Sequence, residues 1–450
     1  MDMQYGLGPL IVIVLALLGV SLQIRKISLV IALWVSMVLV ATFVDMYASV
    51  FQGDWQDILL LVVTVLATTS AWDSIWFLRE HEDIRVGRYY VWWALFWGAL
   101  AAIVLAENLM VSWVAIEFST LASGALVVEM GNRRALEAAW KYIVIASVGL
   151  ALALIGIIFV YAGLRFQGLG WNTLAYSNLA RHYHAIAPIV RGVATILIVS
   201  GIGTKVGLVP FHTWLPDAHS EAPSPVSGLL SGALLGLCLV TIERFVAAVP
   251  QPSTALLSGP HLLIFYGVLS ITVGSLALLV QRDIKRLLAY SSIEQVGIMA
   301  IGFGIGTPLA EMAALLQLVF HAAIKSTLFY LSGHLSAAYH SKRLEKITGM
   351  AKTYPGLAIS WSLGILALAG VPPLGLAYSE WIMLHAMWQM HQVWLIAVLS
   401  LALLVTFAAL TYHLLSGLWG GLNFSVSGSQ EDMEATSHGS STAVVGGERA

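Results

Sequence analysis

Charge is scarce in this chain. Lys, Arg, Asp and Glu together make up 10% of its 450 residues, where a soluble domain carries about 25%. Cysteine is scarcer still. Cys238 stands alone, which excludes a disulfide framework and any four-cysteine zinc or iron–sulfur site held within the chain. No GxGxxG lies in a strand-to-helix setting, no Walker loop is present, and neither HxxxH nor HExxH occurs. The sequence therefore implies no nucleotide, metal, haem or other cofactor in this chain. A net charge of −2 offers no basic surplus to attract nucleic acid. The amino-terminal MDMQYG lacks the basic region of a cleaved signal, so the first apolar run reads as a retained span.

What fills the chain is hydrophobic residues, 59% of the total, arranged in long runs. At roughly 20 residues per crossing, these runs predict an all-α membrane protein surrounded by lipid. About thirteen transmembrane helices are expected, centred near residues 16, 37, 67, 98, 118, 150, 204, 236, 271, 298, 325, 370 and 406. The Ser-, Gly- and Glu-rich segment 420–450 reads as a disordered cytoplasmic tail. Basic residues set the orientation. With the amino terminus outside, fifteen fall on inside loops: Arg25, Lys26, Arg79, Arg85, Arg88, Arg133, Arg134, Lys141, Arg282, Lys285, Arg286, Lys342, Arg343, Lys346 and Lys352. Four (Arg165, Arg181, Arg191 and Arg244) fall outside. The longest connection, from about Leu164 to Pro188, contains WNTLAYSNLARHY, which reads as either a short interfacial helix or an irregular loop.

Four ionisable residues lie close to the centres of apolar windows. Glu117 is in the middle of 108–128, Lys205 of 193–215 and Lys325 of 312–338, and Glu380 lies in the long stretch 357–388 beyond GVPPLG. A central charge costs about 2.5–3.5 kcal/mol on insertion scales, so four left unpaired would cost on the order of 10 kcal/mol. Two acids and two bases point to pairing as the remedy. Each alone also fits a helix–helix contact. As a set they fit function better, because two of them lie on interrupted helices. Lys205 is flanked by Gly201, Gly203, Gly207 and Pro210, and Glu380 follows Gly370, Pro372, Pro373 and Gly375. Breaks at membrane depth are tolerated where they line protein or a wet cavity, and matched breaks in two halves of a chain mark inverted-repeat transport sites. If the halves begin near Tyr89 and His261, Lys205 lies 116 residues into one and Glu380 119 into the other. The expected organisation is a three-helix segment 1–88, a five-helix repeat 89–248, and an inverted five-helix repeat 261–419.

Gln317, His321 and Lys325 are four residues apart and share a helix face. Histidine titrates near neutral pH, so this face can pass protons or can simply hold helices together. His212, Asp217, His219 and Glu221 end the GTKVGLVPFHTWLPDAH stretch on the inside, as a proton entrance, a loop network or, least in keeping with their spacing, a metal site. Asp73 and Glu129 lie nearer the interfaces and read as structural.

Four stretches resemble the antiporter-like subunits of the respiratory complex I superfamily: GTKVGLVPFHTWLPDAHSEAPSPVSGLLSGALL, QRDIKRLLAYSSIEQVGIMAIG, HAAIKSTLFYLSG and GVPPLGLAYSEW. NLMVSWVAIEFSTLASGALVV with ALEAAWKYIVIASVGLALALIG is most similar to the F component of hydrogenase-4-type complexes. The resemblance covers about residues 90–415, with the motifs in order. It implies a proton path in which Glu117 on the fifth helix pairs with Lys205 on the broken seventh. The path continues through His321 and Lys325 and ends at Glu380 on the broken twelfth. Two departures stand out. Relatives often carry a lysine on the eighth helix, where this chain has Gly236 and Cys238, so a polar cavity between the seventh, eighth and eleventh helices is expected, anchored by Ser231 and Gln317 with His321 facing Lys205. Relatives also commonly have a fourteenth helix.

The resemblance implies a proton-translocating subunit of a redox-driven complex in a prokaryotic inner membrane, with redox centres on other membrane and peripheral subunits. Other readings are a monovalent cation/proton antiporter subunit, a membrane partner in inorganic-carbon uptake, and a structural subunit without transport.

Overall fold

A computed structural model describes residues 55–165, 168, 170–249 and 258–420. The first two expected spans and the tail expected at 420–450 lie outside the described residues, except for Gly420. Each of the other eleven expected centres belongs to a helix or, near residue 370, to a break between two. The third to sixth spans are Trp55–Glu80, Val86–Leu105, Leu109–Val128 and Arg133–Leu164. The seventh is Pro188–Val206 followed by Trp214–Glu221, and the eighth runs from Ser224 to Ala248. The ninth to eleventh are Gly259–Leu278, Ile284–Ile305 and Pro308–Ala338. The twelfth is Pro355–Leu368 and Gly375–Gln389, and the thirteenth is Val393–Trp419. Ten helices are long and apolar enough to cross a membrane, counting the seventh with its break as one. Among the described residues no strand forms, only the isolated bridges Asn108↔Ala175 and Asp283↔Arg343.

Local chemistry sets the starts. The side chains of Asn108, Asn132, Asp283 and Thr307 each accept a hydrogen bond from a first-turn amide, replacing a partner the helix cannot supply. Proline occupies the first turn of the spans beginning at 188, 259, 308 and 355, where it has no amide to waste. Packing uses small residues, as membrane helices do. A side chain at Gly201 would meet the Gly149 carbonyl at 2.5 Å, and one at Gly267 would meet the Gly297 carbonyl at 2.8 Å. The sixth span is thereby held on the seventh and the ninth on the tenth.

The eighth and tenth spans are almost wholly buried, while the sixth and thirteenth turn much of their surface outward. The eighth is not a plain α-helix. Leu230–Leu234 forms a π-helical segment between Ser224–Leu229 and Leu235–Ala248, which the sequence pattern did not signal. The connection from 164 to 188 takes the helical option, with Tyr176–His182 flanked by 3₁₀ turns.

Charged residues gather on one face. Arg88 pairs with Glu129 at 2.6 Å, Arg286 with Asp217 at 2.6 Å, Lys141 with Asp217 at 3.3 Å and Lys342 with Glu221 at 3.6 Å. Arg244 lies on the opposite face, donating to the Ala106 carbonyl at 2.7 Å over the Tyr176 ring. One basic residue leaves the expected loop set. Lys285 is buried, because the second half of the broken seventh span packs over it and its ammonium donates to the Ala222 carbonyl at 2.9 Å.

Candidate functional site

The seventh span ends its first half at Gly207, whose φ of 80° is open to glycine. The chain then turns through Leu208 to Pro210 and restarts. The groups freed by the break find partners. Val209 donates its amide to Ser270 Oγ at 3.0 Å, and Trp214 Nε1 donates to the Thr204 carbonyl at 2.9 Å. A break at membrane depth is stable only when satisfied in this way.

Lys205 sits in the last turn before this break, 0% exposed. Its ammonium donates to Thr120 Oγ1 at 2.8 Å and to the Tyr142 hydroxyl. Tyr142 is joined to Ser123 at 2.7 Å. Glu117 lies one turn before Thr120 and makes no direct ion pair with Lys205. Its Oε1 accepts from Ser147 Oγ at 2.8 Å, and its Oε2 is buried without a hydrogen-bond partner. Glu117 and Cys238 are the titratable groups whose charges act on Lys205. The expected pair is thus a cluster built on hydroxyls, with the carboxylate one turn away.

Lys325 is also 0% exposed. It donates to the Leu288 carbonyl at 2.5 Å and to Ser291 Oγ, both on the tenth span. Three residues beyond Ser291 is Glu294, 0% exposed, with Oε1 accepting from Thr406 at 2.9 Å and Oε2 unpartnered. Its charge acts on both Lys325 and Glu380. Gln317 joins the tenth and twelfth spans: its amide donates to Gln295 Oε1 at 2.5 Å and to Glu380 Oε1 at 3.4 Å, and its own oxygen accepts from Ser379. Gly370, at φ 69°, lies directly against the Glu380 carboxylate, so the second break also forms a wall of its site.

Glu294, Gln295, Ser291, Thr120 and Tyr142 were not among the expected site residues. Glu294 had a signal, a charge near the middle of the tenth span. The hydroxyls had none, because serine and threonine are common in membrane helices for packing alone.

Between the two lysines the structure departs from expectation. A side chain at Gly236 would meet Leu318 at 2.8 Å, and one at Gly232 the Ala322 carbonyl at 2.9 Å. These glycines bring the eighth and eleventh spans into contact and do not leave the expected cavity between them. Ser231 bonds Ser292 of the tenth span at 2.7 Å. Both ring nitrogens of His321 are buried and unpartnered, and its ring lies beside the Ser231 main chain, within the field of Lys325. His321 therefore groups with Lys325 and not with Lys205. His219 is 0% exposed, stacked on Phe329 at 5.0 Å, with both nitrogens unpartnered. His212 lies at the break, its Nδ1 buried and unpartnered. Asp217 turns to the charged face and binds Lys141 and Arg286, outside the buried row.

The family described as NADH:quinone oxidoreductase/Mrp antiporter, TM, matches residues 106–406. The hydrogenase-4 component F homolog of Methylacidiphilum infernorum is 35% identical over 385 residues, covering 84% of this chain and 80% of that protein. NADH-quinone oxidoreductase subunit N of Desulforudis audaxviator is 29% identical over 307 residues, covering 68% of this chain and 60% of that one. The chain spans 50% of hydrogenase-4 component B of Escherichia coli, at 28% identity over 346 residues. In fold, it superposes with a TM-score of 0.79 on a chain of the membrane-bound sulfane sulfur reductase, an archaeal respiratory membrane complex, at 23% identity and covering 91% and 88% of the two chains. It superposes equally, at 0.79 and 19% identity, on a chain of the Mrp complex from Dietzia, covering 93% and 81%. The chain therefore belongs to the NADH:quinone oxidoreductase/Mrp antiporter transmembrane family and is a multi-pass, antiporter-like membrane protein.

Proposed function

We propose that this chain carries protons along a buried row, as a subunit of a redox-driven membrane complex of the hydrogenase-4 or NADH-quinone oxidoreductase kind. The row runs from Glu117 and Lys205, past His321, to Lys325, Glu294 and Glu380. The observation that carries the reading is that Lys205 and Lys325 are both fully buried and held by hydroxyl and carbonyl oxygens, with no carboxylate at contact distance. A structural buried charge is ordinarily held by a partner of opposite sign. An amine held by neutral oxygens can give up and regain a proton without breaking an ion pair. Because Glu294 is felt by both Lys325 and Glu380, a charge change at one shifts the other through a low-dielectric interior.

The redox centres would reside on partner subunits, and the membrane would be a prokaryotic inner membrane. The two five-helix halves would be inverted repeats. Their helix lengths support this, with 20 and 20 residues for the first helix, 20 and 22 for the second, and 32 and 31 for the third. Each half then has a broken helix in fourth place. The contact of Gly236 with Leu318 favours a second reading, a subunit in which transfer between the halves has been lost.

The test uses the assembled complex in vesicles carrying an internal pH dye. Lys205→Ala and Lys325→Met should each leave assembly intact and abolish most proton transfer coupled to electron flow. Assembled variants that pump normally would remove the axis; loss in Lys325→Met alone would support the second reading.

A further inference from the structure

We infer that the seam between the third, eighth and eleventh spans is a proton inlet from the charged face, feeding Lys325 by way of Lys285 and His219 and independent of Lys205. This inference rests on the row proposed above and adds its point of supply.

A cavity of about 330 Å³ opens at this seam, lined among others by Trp76, His81, Ser224, Lys285, Ser336 and His340. Lys285 is 4% exposed on one wall, tied to the Ala222 carbonyl. Asp73 stands by the other wall, 3.0 Å from His334 Nε2, and the His334 ring lies over Trp76 at 3.8 Å between centroids. The third span stays polar further in. Ser70 donates to the Pro225 carbonyl at 3.0 Å, and Thr69 lies 3.2 Å from the Tyr330 hydroxyl of the eleventh span. Polar groups at membrane depth are costly, and this seam concentrates them around one opening, while the outer side of the same span is apolar, with Val65 and Trp72 exposed.

The opening leads toward the row. His219 has two buried, unpartnered nitrogens, and the charges of Lys285 and Lys325 both act on it. A buried imidazole of this kind can accept on one nitrogen and donate from the other. As a proton arriving on water binds Lys285, Lys285 passes its own to His219, and His219 passes one to Lys325. At each transfer one bond to hydrogen breaks as another forms, and no electrons move. The Glu117–Lys205 cluster takes no part in this supply.

The single native cysteine, Cys238, is buried, so the unmodified chain is a suitable background. Ser336→Cys places a thiol at the cavity lining and is close to isosteric. The assembled complex in inside-out vesicles is treated with a membrane-impermeant methanethiosulfonate reagent, and modification is read by mass independently of transport. The variant should react from the charged face, and reaction should lower coupled proton transfer by about tenfold or more. Lys285→Met, without reagent, should lower it comparably, with Lys285→Arg less affected. Failure of Ser336→Cys to react, reaction only from the opposite face, or modification that leaves transfer unchanged would each overturn the inlet. A parent complex that moves no protons would instead overturn the row itself, a distinct result because labelling is scored separately.

Discussion

Lys205 and Lys325 are buried to the same degree in unlike surroundings. Lys205 ends a half-helix at a break, and its oxygens come from side chains on two other spans. Its nearest acid, Glu117, lies on the flank of the fifth span beside Phe118 and Leu121, which are 42% and 50% exposed. Lys325 lies within an unbroken helix of 31 residues, held by one backbone carbonyl and one serine of the tenth span. Its acid, Glu294, is 0% exposed. The first site therefore lies close to an outer surface, and the second is enclosed by the chain's own helices. Charge interactions strengthen as the surrounding dielectric falls, so the enclosed site has more to lose from a change of charge.

The largest expected effects probe that difference directly. Lys325→Met should reduce coupled proton transfer in the reconstituted complex by about 100-fold or more, and Glu294→Gln should approach the same loss. Glu117→Gln should be milder, about tenfold. Equal losses at 117 and 294, measured as initial rates at matched assembly, would break the comparison.

Next come the helix contacts that hold each site in place. Gly201→Ala sets a methyl group against the backbone of Gly149 and Ala153, which cannot move aside, and should cost about 1–3 kcal/mol. At Gly236 the obstacle is the Leu318 side chain, so Gly236→Ala should lower the melting temperature of the detergent-solubilised complex less. The reverse order would mean that the eighth and eleventh spans are the more rigid pair.

Smaller effects distinguish the two sets of oxygens. Tyr142→Phe leaves Lys205 with Thr120, and Ser291→Ala leaves Lys325 with the Leu288 carbonyl. Each loss is about 1 kcal/mol, a severalfold change in transfer rate at most, and Ser291→Ala should show the larger one. The smallest effect is expected at Asp217→Asn. This removes two partly exposed ion pairs, for less than about 1 kcal/mol, and should leave proton transfer within error of the parent.

Much of this architecture is legible in the sequence because lipid enforces it. A helix must be long and apolar to cross, and glycine with proline marks where one breaks, so eleven centres and both interruptions could be placed from residues alone. Central charges were legible for the same reason, since Glu117, Lys205, Lys325 and Glu380 stand out against apolar neighbours. Lys285 did not stand out. Beside Arg282, Asp283 and Arg286 it reads as part of a loop, and only the half-helix that folds over it makes it internal. The void inferred at Gly236 shows the converse error. Small residues leave space only if nothing approaches, and in a membrane their usual effect is to let another helix in.

The π segment at Leu230–Leu234 has a consequence for how this chain tolerates insertion and deletion. Such a turn winds one more residue into its circuit than an α-helix does. Removing a single residue there would relax it to ordinary helix and swing everything downstream through about 100°. Cys238 would lose its phase relative to Lys205, and Ser231 relative to Ser292, although every side chain except the deleted one would remain. The eighth span thus behaves like a shaft with one tooth added to its gear, and the alignment of the two halves depends on that extra tooth.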